Sequence, residues 1–177
     1  MAFAPYIVED AETVRSYLFE DPMTCAYMLG NLEGPYRRFS TFYGVDNAGG
    51  LSALVMSFSG FRLPLLVTFG SIEGLEQVMA RFGPEMAGRT LLQIQPQHLG
   101  VIDTHFKVEG LRPVLRMGLR APDLCVGESR EYVVERLSHR DTAEIMTLYA
   151  YWPDHLFEPA QLQSGHYFGA RVEGAES

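Results

Sequence analysis

The histidines, cysteines and serines are the side chains of this 177-residue sequence whose types could do chemistry. The five histidines are His98, His105, His139, His155 and His166. A metal site needs ligands that converge at helical or hairpin spacing. His98 and His105 stand two helical turns apart in QHLGVIDTHF, where only Asp103 offers a third ligand. That spacing reads as solvated side chains on a short helix, and no metal site is expected. His155 and His166 come close across a short turn, with no carboxylate or nucleophile to orient them. Cys25 falls on an apolar helical stripe and reads as core rather than nucleophile. Ser71 and Ser164 lack a His-Asp partner pattern, and there is no nucleophile elbow. Arg37 and Arg38 beside Tyr36 could take an anion, although a solvated pair is the plainer reading. The densest cluster is aromatic: Tyr149, Tyr151, Trp152, Phe157, Tyr167 and Phe168.

Composition narrows the classes. Twenty-two acidic against 14 basic side chains give a net charge of −8, and Lys and Arg are nowhere clustered. Nucleic acid is therefore excluded as an expected partner. The longest apolar run is far shorter than the ~20 residues a bilayer span needs, so no membrane insertion is expected. Cys25 and Cys125 lie in no metal-like spacing. With so few thiols and no signal peptide, the sequence reads as cytoplasmic with free cysteines. The length suits one large domain, or one domain and part of another.

The elements that must position these residues follow from periodicity and punctuation. YIVE reads as a short strand and DAETVRSYLFE as a helix burying Ala11, Val14 and Leu18. Asp21 then Pro22 open a second helix whose stripe is Cys25, Met28, Leu29 and Leu32. FSTFYGV and LSALVMSF are strands joined through DNAGG, whose residues tolerate the positive φ of a tight hairpin. FRLPLLVTFG is a third strand, with Pro64 at its beginning. Ser71 opens a helix through Ile72, Leu75, Val78, Met79 and Phe82. RTLLQIQ is a strand, PQHLGVIDTHF a short helix, and LRPVLRMGLR an alternating strand. APDLCVGES is turn-rich and reads as a linker. Beyond it REYVVERL is a strand, and HRDTAEIMTLYAYW a helix with Asp141 and Glu144 at capping-box spacing and a stripe of Ile145, Leu148, Tyr149 and Trp152. GHYFGARVEG is the last strand, running into a Glu-Gly turn. The fold class expected is α/β: a mixed, mostly antiparallel sheet flanked by helices.

The two ends of the sequence repeat. YIVEDAETVRSYLFEDP parallels YVVERLSHRDTAEIMTLYAYWPDHLFEP, and FYGVDNAGG parallels YFGARVEGA. The expected domains are residues 1–122, a linker at 123–129, and residues 130–177 as the first β-α-α-β of a second copy, truncated there.

Together with SYLFEDPMTCAYMLGNLEGPY, FYGVDNAGGLSALVM, LRMGL and HLFEPAQLQSGHYFGARVEG, this order resembles tandem proteins of the GNAT N-acetyltransferase superfamily. In these a degenerate N-terminal half precedes an active C-terminal half, and the resemblance covers nearly the whole chain. It implies the GNAT-like acyl-CoA N-acyltransferase fold, with two splayed parallel central strands. It further implies acetyl-CoA as co-substrate and a small-molecule or peptide amine as acceptor. A base or water would deprotonate the amine, and backbone N–H groups would stabilise the oxyanion. The family's Gln/Arg-x-x-Gly-x-Gly/Ala segment holds the CoA pyrophosphate at a helix N-terminus. Here the equivalent junction reads LLVTFGSIEGLEQV, without that pattern and with Glu73 in the first turn. No cofactor-binding residue is therefore assigned, no catalytic residue is assigned, and the chain alone is expected to be inactive. On the acceptor side the resemblance points to Tyr151, Trp152, His155 and Glu158, against the plainer reading of core stripe and turn carboxylate. Two alternatives stay open: a scaffold that forms a homodimer through its exposed C-terminal strand, and a domain for some other small molecule.

Overall fold

The run Leu51–Phe58 is apolar on both of its alternating faces, which calls for cover on both sides. In the computed structural model it is the middle strand of a five-stranded sheet. The structure describes residues 3–86, 88–118, 132–152, 155 and 157–172. The chain divides into two units, Met1–Met117 and Gly118–Ser177.

In the first unit the sheet order is β1 (Tyr6–Ile7), β2 (Ser40–Asn47), β3 (Gly50–Phe58), β4 (Leu65–Gly70) and β5 (Leu91–Gln93). Neighbours pair antiparallel except β4 and β5, which are parallel. Helices α1 (Ala11–Leu18) and α2 (Ala26–Gly30) cover one face. There Val14, Leu18, Cys25 and Met28 pack with Phe42, Leu54, Met56 and Val67. Helices α3 (Ile72–Phe82) and α4 (Leu99–His105) cover the other, where Leu75, Val78 and Ile102 pack with Ala53, Val55 and Leu66. Each large apolar side chain so buried contributes roughly 1.5–3 kcal/mol. The architecture is thus a mixed α/β sandwich with a mostly antiparallel sheet.

Local chemistry sets the ends. Asp10 caps α1 through the amides of Glu12 and Thr13. The stretch after Asp21 forms a turn, with the Asp21 carboxylate accepting from the Thr24 amide at 3.1 Å, and regular helix starts only at Ala26. At the β2–β3 hairpin only Gly50 takes a positive φ, of 119°. Asn47 contributes its side chain instead, accepting from the Gly49 amide at 2.8 Å. Pro64 lies just before β4, and its carbonyl accepts the Leu91 amide at 2.8 Å, fastening β5 alongside.

The alternating run LRPVLRMGLR does not form a strand over its described residues, 111–118. Pro113 lacks an amide to donate. Arg116 instead holds the segment on α2, donating to the Met23 carbonyl at 3.2 Å and lying 5.1 Å over the Tyr27 ring. Leu115 and Met117 are left 92% and 88% exposed, so period-two patterning here has no face to bury. The linker at 123–129, with Cys125, lies outside the described residues, as do Pro153 and the Glu-Gly turn after Val172.

The second unit contains β6 (Tyr132–Arg136), α5 (Thr142–Tyr149), a 3-10 turn at Pro159–Ser164 and β7 (Phe168–Val172). β6 and β7 pair antiparallel, as β1 and β2 do. The capping box is formed by Ser138 and Asp141, not by Asp141 and Glu144. Helix α5 ends at Tyr149, which leaves Trp152 beyond it and exposed; within the helix Ile145 is buried, whereas Leu148 is exposed. Ile145, Phe157 and Leu162 form the small core. Among the described residues no helix is long and apolar enough to cross a membrane.

The two units share a detail finer than element order. The Val8 amide donates to the Phe42 carbonyl at 2.8 Å, and the Leu137 amide to the Tyr167 carbonyl at 2.8 Å. Two residues beyond each acceptor stands a glycine, Gly44 or Gly169. A Cβ on Gly44 would meet Val8 at 2.7 Å, and one on Gly169 would meet Leu137 at 2.9 Å. Val8 is therefore the counterpart of Leu137, which shifts the sequence pairing of YIVE with YVVE by three residues.

Gly70 ends β4 at φ 110°, and a Cβ there would lie 2.4 Å from both the Ser52 carbonyl oxygen and the Tyr17 hydroxyl. Gly50 has a similar φ with open space around it. Gly70→Ala should cost about 3 kcal/mol or more, by clash added to strain, and Gly50→Ala only about 1–2 kcal/mol. Urea unfolding of the two variants checks this difference; equal losses would contradict it.

Candidate functional site

In the first unit the ladder between β4 and β5 stops short. They pair at Leu65–Leu91, Leu66–Leu92 and Val67–Gln93, and there the ladder stops while β4 continues to Gly70. The Ser71 amide donates to Ser52 of β3 at 2.9 Å. Backbone groups alternate sides along a strand, so the Gly70 carbonyl faces the β5 side, past the last paired residue. An inner-strand carbonyl left unpaired there would be costly.

His98 meets that need. Its Nε2 lies 3.1 Å from the Gly70 oxygen, and its Nδ1 lies 2.9 Å from the Thr68 hydroxyl. A carbonyl can only accept, so Nε2 carries the hydrogen and Nδ1 accepts from the Thr68 O–H. His98 is 0% exposed and Thr68 is 3% exposed. The expectation of a solvated His98 is thus overturned. The 3-10 turn Pro96–His98 precedes α4 and directs this ring inward against β4. Burial pushes the imidazole pKa down, with the Gly70 bond opposing in part.

The helix start beside it is equally committed. Ser71 caps α3, its Oγ accepting from the Gly74 amide at 3.2 Å and lying 2.8 Å from the Ser52 hydroxyl. The Tyr17 hydroxyl donates to the Ser52 carbonyl at 2.7 Å, and burial pushes its pKa up to about 12. Glu73 adds negative charge to the first turn.

The acceptor-side candidates in the second unit are put to separate uses. Tyr151 and Trp152 are exposed. Glu158 forms a capping box with Gln161, its amide bonded to the Gln161 side-chain oxygen at 2.9 Å. His155 lies against Tyr149, ring centroids 4.9 Å apart, and Tyr149 stacks on Phe157 at 5.2 Å. The His155 Nδ1 is buried with no hydrogen-bond partner among the described residues. Ser164 accepts from the His166 amide at 3.3 Å, a local turn bond. Arg171 of β7 gathers Glu135, Asp141 and Glu144, tying the ribbon to α5.

Elsewhere, Arg37 bonds the Ser40 carbonyl at 2.9 Å and Arg38 lies 4.6 Å over Phe39, so neither is a dedicated anion grip. Cys25 is free and buried, and burial pushes its thiol up to about 12, as suits a core residue. Among the described residues no group of three or more His, Cys, Asp or Glu side chains is placed to hold a metal ion. An open groove of about 450 Å³ runs beside α1, lined by Asp10, Glu12, Ser16, Tyr17, Glu20 and Leu51. No sequence pattern announces it, because its walls come from α1 and the distant β2–β3 hairpin. Its carboxylates are largely spent: Asp10 on Thr13, and Glu12 on Arg15.

Comparison with protein-family models, with curated proteins and with solved structures finds no match to this chain.

The His98 environment makes stability depend on pH. The folded-state pKa is lowered, so between it and the unfolded value near 6.5 the unfolded chain binds the extra proton. This contribution should be full above pH 6.5 and fall as pH drops through the unfolded and then the folded pKa. Urea unfolding from pH 7.5 to 5, compared with His98→Gln, checks it. The slope attributable to this residue should vanish in the variant.

Proposed function

We propose that this chain belongs to the GNAT N-acetyltransferase type: a degenerate first module, followed by the opening elements of a second. The observation that carries this reading is the β4–α3–β5 crossover with parallel pairing confined to three residues, in a sheet ordered β1 to β5. A parallel pair that parts after three residues supports the reading, because the family's coenzyme grip calls for a splayed parallel pair. The shared amide bond and close-packed glycine of the two units support descent of both from one β-α-α-β pattern.

The residues present do not fit acetyl-CoA at the first module's splay. His98 fills the space beside β4, Ser71 takes the Gly74 amide, and Glu73 would oppose a diphosphate. Transfer of an acetyl group to a small-molecule or peptide amine is then a property of the tandem type, and this chain's first module does not bind the donor. Titrating acetyl-CoA into the chain by calorimetry should give no saturable heat at micromolar concentrations. Tight stoichiometric binding would defeat this part of the reading.

The β6–β7 ribbon favours a second reading. Two strands with one small helix are marginal as a sheet, and Tyr132, Val133, Val134, Phe168 and Val172 are exposed. A second copy adding a strand along β7 would enlarge the sheet. Sedimentation should then show a concentration-dependent dimer, abolished by Ala170→Pro. A monomer across the accessible range would refute strand addition.

A further inference from the structure

We propose that the His98 imidazole is a built-in occupant of the gap between β4 and β5, standing where a small planar donor–acceptor ligand would otherwise pair with β4. The case rests on the edge of β4 alone and holds whether or not the acyltransferase reading does.

The gap is defined by backbone. β5 leaves the ladder after Gln93, and β4 runs on through Thr68, Phe69 and Gly70. The carbonyl of Gly70 faces the vacated side, and the Thr68 hydroxyl lies near enough for one ring to serve both. An occupant has to donate to the Gly70 carbonyl and to pair, as acceptor or donor, with the Thr68 hydroxyl. A neutral imidazole does this with its two ring nitrogens, which bond Gly70 at 3.1 Å and Thr68 at 2.9 Å. The ring is fully buried there.

Delivery of the ring is also built in. Pro96 begins a 3-10 turn, the His98 amide donates to the Gln95 carbonyl at 3.0 Å, and α4 follows at once. Val101 and Ile102 of α4 are buried with Leu66 and Leu75 on the same side of the sheet. The turn is thereby pinned by packing, and the ring is held in place rather than merely adjacent. Removing the ring while keeping the turn should leave an azole-shaped polar cavity. Such a cavity selects for a ligand with a donor and an acceptor in 1,3 relation on a five-membered ring. Imidazole and 1,2,4-triazole qualify; N-methylimidazole has lost the donor and does not.

The test is chemical rescue of His98→Gly, with His98→Ala as the backbone baseline. The glycine variant should melt about 5–10 °C below the parent. Imidazole at about 10 mM should recover at least half of that loss by binding only the folded state, and N-methylimidazole should recover little. No recovery by imidazole, or equal recovery by both azoles, would overturn the proposal. Should the glycine variant fail to fold, nitrogen-15 spectra of the parent protein decide. A slowly exchanging ring proton on Nε2 of His98 supports the occupant, and a proton on Nδ1 or a rapidly averaged ring refutes it.

Discussion

A backbone carbonyl at the end of an inner strand must be paired, and in the first unit that requirement falls on Gly70. The strand pairing on the β3 side is complete, with Ala53 opposite Gly70 and the Ser71 amide bonded to Ser52. On the β5 side the ladder has already stopped. A glycine at φ 110° lets the chain turn from strand into helix under the Ser52 carbonyl and Tyr17, which no larger residue could do. That turn fixes the carbonyl where only an incoming donor can satisfy it. His98 supplies the donor, at the cost of burying an ionisable ring that must then stay neutral. Sheet, crossover helix and α4 are therefore coupled through one hydrogen-bonded ring.

The coupling explains why the two faces of the sheet behave differently. On the α1–α2 face the contacts are almost wholly apolar, and Cys25 there is one more hydrophobe. On the α3–α4 face the same kind of packing surrounds a polar pair, Thr68 and His98. A fully satisfied polar pair specifies one arrangement of its neighbours more sharply than apolar contact does, because any shift leaves a donor or acceptor unpaired. The register of α4 against β4 is set by that pair.

Much of the fold was legible because the strongest signals were local. Val14 and Leu18 repeat at helical spacing, β3 is apolar on both faces, and Asn47 to Gly50 close a tight turn. The exceptions have physical causes. In LRPVLRMGLR the alternation is real, yet a strand needs a neighbour with free donors, and no sequence pattern states whether one is present. Trp152 fits a helical stripe but lies beyond the end of α5, and Leu148, though within the helix, is left exposed. His98 escaped because spacing along its own helix says nothing about a carbonyl 28 residues earlier. The only local hint was Pro96, which sets a turn that can aim a side chain inward. The acceptor-side residues came from resemblance, and the structure gives Glu158 a capping role where the plainer sequence reading had only a turn carboxylate.

The repeat shows how three-dimensional register corrects a reading by letters. YIVE and YVVE look alike, and aligning them is natural. Packing chooses otherwise: Gly44 accommodates Val8, and Gly169 accommodates Leu137. In both places the strand glycine lies two residues beyond the carbonyl that takes the inward residue's amide. Val8 and Leu137 are both apolar and each packs against a strand glycine, whereas the Tyr-Ile and Tyr-Val steps of β1 and β6 are exposed. What the two units share is the pairing of a bulky side chain with an absent one, a steric constraint rather than a motif. The Phe-Tyr-Gly and Tyr-Phe-Gly steps carry it. A fold read from such complementary pairs of positions is anchored by what must fit, even where the letters around them differ.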